Sequence, residues 1–141
     1  MYAILCKRKI ITAVFLLLLI SVIVVEGYLI SAVNNGANMH NPQDRLSFLK
    51  SINLNVDKDT YSEENILIPT EFSDVYENYN KLQFSAGYDL NDYKGKTVIK
   101  YTYTLLECEE ETEVHLLCYG GKVIGGDICQ TVLNGVMLPL K

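Results

Sequence analysis

Hydrophobic positions follow three rhythms along the 141 residues: an unbroken run, then a spacing of three and four, then alternation. The unbroken run comes first. Lys7-Arg8-Lys9 precede sixteen uncharged, mostly aliphatic residues from Ile10 to Val25, and Glu26 separates these from a second apolar patch, Tyr28 to Val33. A helix from Ile10 to Ile30 would be about 31 Å long, close to the thickness of a bilayer's hydrocarbon core. Residues 10–33 are therefore predicted to be a transmembrane signal anchor. Residues 1–9 form its basic flank, which the positive-inside rule keeps in the cytoplasm, so the rest of the chain is outside. A cleaved signal peptide has a shorter apolar core ending in small residues. Here the residues three before a cut at Ala32 or Ala37 are only Ile30 or Asn35. Release by cleavage, giving a secreted protein, is the alternative to a retained anchor.

Residues 34–40, NNGANMH, have the composition of a linker, and a domain is expected over 41–141. Asn41-Pro42 supplies an N-cap and a proline at the first helical position, and Leu46, Phe48, Leu49 and Ile52 form the apolar stripe of a first helix. Leu54-Asn55-Val56 and Ile66-Leu67-Ile68 suggest short strands near a sheet edge, with a polar loop over 57–65 between them. The strongest helix signal lies in PTEFSDVYENYNKLQFSAG, with Thr70 as the expected cap, acidic residues in the first turn and Gly87 as the stop. Phe72, Val75, Tyr76, Tyr79, Leu82 and Ala86 share an arc of about 120°. Gln83 falls inside this arc and Asn80 beside it. A buried amide must bond to backbone groups or to a ligand, so Tyr76, Asn80 and Gln83 are candidate binding residues.

From Thr97 the period becomes two. Strands are predicted over 97–106, 114–119 and 122–129, the last two joined by a Gly120-Gly121 hairpin. A regular ladder from that turn puts Leu116, Cys118, Val123, Gly125, Asp127 and Cys129 on one face. It puts His115, Leu117, Ile124, Gly126 and Ile128 on the other. Gly125-Gly126 inside a strand marks a bulge or a close approach by the aromatic helix face, so both glycines, like Gly87, are structural candidates. Asp127 has three readings: a ligand-binding or metal-binding carboxylate, a catalytic one, or a cap on backbone donors. With His115 on the far face it lacks a base, and Cys129 lacks one too. No catalytic residue, metal ligand or cofactor is assigned. The acidic hairpin Glu107 to Glu113, with five carboxylates, lacks the ligand spacing and sharp-turn glycine of a calcium loop.

Setting aside Lys7, Arg8, Lys9 and Glu26 from twelve basic and seventeen acidic residues leaves nine and sixteen, a net charge of −7 outside the membrane segment. That balance disfavours nucleic acid and anionic lipid as partners, since both demand a basic surface. Three cysteines on the exported side cannot all pair within one chain, which points away from a disulfide scaffold and leaves small buried thiols or a single bridge.

Ile68-Pro69-Thr70-Glu71-Phe72, Val75-Tyr76, Tyr79-Asn80-Lys81-Leu82-Gln83, Gly87-Tyr88-Asp89-Leu90, Tyr93-Lys94-Gly95-Lys96 and Val123-Ile124-Gly125-Gly126-Asp127 occur in an order that resembles domain of unknown function 4830. This is an uncharacterised bacterial family of Firmicutes type, and the likeness runs from about Arg45 to Leu138. The resemblance implies a Gram-positive source and a small domain behind an N-terminal membrane segment. It implies no activity, ligand or catalytic residue.

The expected fold is α+β: two helices covering one face of an antiparallel sheet, with a three-stranded C-terminal meander at its centre and one or two short strands beside it. The expected function is a membrane-anchored extracytoplasmic binding or protein-interaction module, not an enzyme. Its partners would be the lipid bilayer, through residues 10–33, and an unidentified envelope protein or ligand. The alternative is a small extracytoplasmic hydrolase or thiol enzyme using Asp127 and Cys129.

Overall fold

The computed structural model describes residues 37–140 apart from 107, 109 and 134. The predicted anchor and its basic flank lie outside the described residues. No described helix is long and apolar enough to cross a membrane. From Asn38 onward the chain is one unit. It contains helices α1 (Pro42–Ser51) and α2 (Asp74–Ser85) and strands β1 (Val56–Leu67), β2 (Thr97–Leu105), β3 (Thr112–Tyr119), β4 (Lys122–Gln130) and β5 (Met137–Pro139). A 3₁₀ turn spans Leu90–Tyr93. The strands form one open antiparallel sheet in chain order, so the expected meander β2-β3-β4 is its centre.

Both helices start on side-chain caps. Asn41 Oδ1 accepts from Gln43 N–H at 3.0 Å, with Pro42 next, as the sequence predicts. For α2 the cap is Ser73 rather than Thr70, its hydroxyl accepting from Tyr76 N–H. Ile68 is still tied to the sheet side, donating to Lys96 O and accepting from Gly95 N–H, so the chain cannot turn into a helix as early as Thr70. Gly87, at φ 85°, ends α2 as expected. Its N–H reaches Phe84 O, and Tyr88 N–H reaches Gln83 O, which satisfies two of the carbonyls a helix end leaves free.

The edge strands differ from expectation. One strand, β1, replaces two short ones and the loop between them, and a shift in register between Asp57 and Ser62 interrupts its pairing with β2. Most of its side chains are exposed on both faces, so it carries no period-two apolar signal. Charged residues and a bulge of this kind keep an edge from pairing with other chains. The three-residue β5 is also unforeseen. It is short, contains a proline and pairs with β4 through Cys129↔Met137, Ile128↔Leu138 and Asp127↔Pro139.

The helices lie on opposite faces rather than together. From α1, Arg45 packs on the ring of Tyr101 and donates to the Tyr103 hydroxyl. From α2, Tyr79 reaches Asp127, which pairs with His115. His115 in turn sits opposite Thr102, whose side chain projects away from those of its neighbours Tyr101 and Tyr103. Each face thus buries one helix. On the α2 side the core is Ile68, Leu90, Val98, Leu117 and Ile124, with Phe72, Tyr76, Tyr79 and Tyr93 packed against it.

The central correction concerns the β3–β4 ladder. Cys118 faces Val123 as the hairpin predicts, but Leu117 faces Gly125, and Leu116 faces Gly126. Ile124 is the extra residue of a β-bulge. One added residue moves every later side chain to the other face. His115 therefore stands directly opposite Asp127, on the same face, and Cys118 and Cys129 lie on different faces.

Candidate functional site

The α2 face of the sheet gathers most of the polar residues singled out by sequence. Gln83 is fully buried, and its Oε1 accepts from Gly126 N–H at 2.8 Å. That donor sets the amide's orientation and leaves Nε2 buried without a partner among the described residues. Gly125 makes room for the amide: a Cβ there would lie 2.8 Å from Gln83 Oε1 and 3.3 Å from Leu90 Cδ2. Gly126 is constrained differently, since its Cβ would collide with the His115 carbonyl oxygen and with Leu140. The helix therefore needs Gly125, while the neighbouring strand and the C-terminal segment need Gly126.

Asn80 is buried and acts as a clamp. Its Oδ1 accepts from Leu90 N–H at 2.8 Å, and its Nδ2 donates to Asp89 Oδ1 at 3.1 Å. Asp89, which also accepts from Asn91 N–H, is held below the usual carboxylate range chiefly by that backbone bond. Asn80 thus fixes α2 to the 3₁₀ turn. Tyr76 is half-buried with its ring edge-on to Tyr79, and burial raises its hydroxyl pKa.

Asp127 is buried and holds two partners. Tyr79 Oη donates to Oδ2 at 2.6 Å, and His115 Nδ1 donates to Oδ1 at 2.8 Å. The other ring nitrogen, Nε2, faces Glu113 Oε2 at 3.2 Å. A carboxylate beside each ring nitrogen favours the protonated ring, in which both nitrogens donate. The bond to Asp127 raises the His115 pKa; burial opposes it, and Glu113 adds to the rise. Burial first and then the Asp127 charge push the Tyr79 hydroxyl far up, so it stays protonated. The expected absence of a histidine beside Asp127 is overturned by the Ile124 bulge. In sequence, the glycine pair signalled a bulge, but not which residue would be extra.

Chemically the cluster is a closed relay of neighbours. His115 has a carboxylate on each nitrogen, which leaves no nitrogen free to take a proton from a substrate. Cys129, on the same face, has its thiol pKa raised by burial and by the Asp127 and Glu113 charges, the reverse of nucleophile activation. All three described thiols are free: Cys108 exposed, Cys129 half-buried and Cys118 buried. Burial pushes the Cys118 thiol up to about 12. Among the described residues no group of three or more His, Cys, Asp or Glu is arranged to hold a metal ion.

Arg45, on the opposite face, went unrecognised in the sequence. It is buried, donates to Tyr103 Oη, Met39 O and His40 O, and lies 3.9 Å over the Tyr101 ring. Its spacing from Leu49 and Ile52, four and seven residues on, was the available signal.

Among the described residues, one concavity open to solvent lies at the C-terminal end of α1, lined by Leu46, Lys50 and the residues from Asn53 to Val56. The other is a groove of about 440 Å³ lined by Val75, Tyr76, Asn78, Tyr79, Leu82 and Met137. Val75, expected on the buried arc, is 77% exposed. It stands beside β5, which is too short to cover it.

Compared with known proteins, the chain matches no family model, no curated protein and no solved structure.

Proposed function

We propose that the chain is a membrane-tethered, extracytoplasmic protein-interaction module rather than an enzyme, and that its domain holds a peptide segment of an envelope protein in the α2–β5 groove. One observation carries the reading: the polar side chains of the α2 face, Gln83 Nε2 excepted, are bonded to one another and to backbone, whereas the adjoining groove is apolar and open. Exposed Asp74 and Glu77 flank it on the helix. With the domain's net negative charge, they favour an apolar segment bordered by Lys or Arg. The tether rests on the hydropathy of residues 10–33, and the resemblance to domain of unknown function 4830 would imply the same layout. Of the four binding candidates, Tyr76 lines the groove. Asn80, Gln83 and Asp127 support it from behind.

The test is a photo-cross-linking residue placed at Met137 or Leu82 of the full chain in its own membranes. The reading expects one discrete adduct, lost when Val75 is replaced by Lys, weakened by salt, and not formed from Lys58 on β1. Identical adducts from every position would defeat it. Secretion after cleavage differs only in the mature N-terminus, which intact mass distinguishes.

The hydrolase alternative gains one observation, the 2.8 Å contact of His115 with Asp127. It predicts ester or amide hydrolysis abolished by His115→Ala in a chain that remains folded. Turnover that survives this substitution removes it.

A further inference from the structure

Met137, which lines the groove, is paired with Cys129, and Cys129 is paired on its other side with Glu113. Directly paired residues share a face, so Glu113 stands on the groove's side of the sheet, two strand spacings or about 10 Å from Met137. Its side chain is 37% exposed. Its Oε2 lies 3.2 Å from His115 Nε2, and His115 is bonded through Nδ1 to Asp127, which holds the hydroxyl of Tyr79 in the groove wall. Among the described residues, the titratable groups on this face around His115 are Glu113 on β3, Asp127 and Cys129 on β4, Tyr79 of α2 through Asp127, and Lys100 of β2, whose partner is Glu64 of β1. β5 carries none, and Glu110 and Glu111 belong to the exposed hairpin beyond. Cys129 adds no charge between Met137 and Glu113, because burial keeps its thiol protonated.

We infer that Glu113 is the cation subsite of the groove, taking the Lys or Arg that borders the bound segment, and that His115 controls it by competing for the same carboxylate. The inference rests on the groove being the binding site. A protonated His115 occupies Oε2 and places its own positive charge beside the subsite, which opposes an incoming cation. When the proton leaves, one ring nitrogen becomes an acceptor. Asp127 is buried, and a buried carboxylate deprived of a donor costs far more than one that water can reach. Nδ1 therefore keeps its hydrogen, and Nε2 turns a lone pair toward Glu113. Glu113 is released, while the Tyr79–Asp127 bond that holds the groove wall persists. A cation-bordered segment is thus held more tightly as His115 loses its charge, above the ordinary imidazole value because the bond to Asp127 raises it. Linkage is reciprocal, so the bound segment lowers the pH at which His115 titrates.

The test uses the full chain in detergent micelles and fluorescent peptides with one apolar core of Leu, Val and Phe, flanked by Lys, by Glu or by neither, read by anisotropy. Affinity for the Lys-flanked peptide is expected to rise as pH is raised from about 6 toward about 9, where lysine is still charged. At about pH 6, His115→Gln should bind this peptide at least about threefold more tightly than the parent, and raising the pH should then add nothing. Glu113→Gln should remove the pH dependence in the opposite way, leaving affinity at or below the parent's acid-side value. Should His115→Gln fail to fold, the parent alone supplies the second readout: saturating Lys-flanked peptide should move the NMR titration of His115 to lower pH. Binding no tighter in folded His115→Gln, a pH dependence that survives Glu113→Gln, or a His115 titration that the peptide does not move overturns the subsite and leaves the groove standing. No binding by any of the peptides, or binding unaffected by Val75→Lys, overturns the groove as well.

Discussion

Where Gln83 meets Gly125, the fit leaves no room for a methyl group. Gly125→Ala should cost about 1–3 kcal/mol, because the new Cβ must displace a buried amide that is already bonded to Gly126 N–H. Removing the amide should return part of that loss. In a double-mutant cycle by urea unfolding, Gly125→Ala and Gln83→Ala are expected to couple by at least about 0.5 kcal/mol, and simple additivity would mean that the two do not share the space. His115 makes a different prediction. Its pKa is raised in the folded state, so its contribution is complete below its ordinary value of about 6.5 and is lost as pH rises through the raised value. Relative to His115→Gln, the parent should lose stability in denaturant melts as the pH rises above about 6.5. A constant difference over that range would show the imidazolium to be irrelevant. At this scale the sequence revealed Gln83, since an amide inside an aromatic arc demands a partner. It hid Arg45, because an arginine satisfied by carbonyls and aromatic faces has no carboxylate to betray it.

Elements with one buried face were legible and the others were not. Helices α1 and α2 and strands β2 to β4 each repeat an apolar position at their own period, so their existence follows from pattern. β1 is exposed on both faces, and β5 is three residues long, so neither leaves a period to detect. The bulge was half visible. Gly125-Gly126 announced an irregularity, but the extra residue is Ile124, an ordinary core hydrophobe, and that single position reverses the face of everything after it. The start of α2 was misplaced for a similar reason: Thr70 and Ser73 are both good caps, and only the ties of Ile68 to the sheet side decide between them. Ser73→Ala should therefore cost about 1 kcal/mol, with Ser73→Asp close to the parent. If urea unfolding shows Ser73→Ala as stable as the parent, the helix does not depend on that cap.

For the whole domain, a buried carboxylate holding a tyrosine from the helix and a histidine from the neighbouring strand has two opposed meanings. A latch stabilises the fold, whereas groups arranged for catalysis are commonly kept at a cost to stability, so that replacing them leaves the protein as stable or more so. The proposed interaction module requires the first: Tyr79–Asp127–His115 joins α2 to β3 and β4 and so holds the Tyr76 and Tyr79 rings in the wall of the groove. The melting temperature of Asp127→Asn at about pH 6, where His115 is charged, separates the two. Loss of charge-assisted bonds to a buried group should lower it by roughly 5–15 °C in a domain of this size. A melting temperature equal to or above that of the parent would contradict the latch, and with it the claim that this face supports binding rather than performing chemistry.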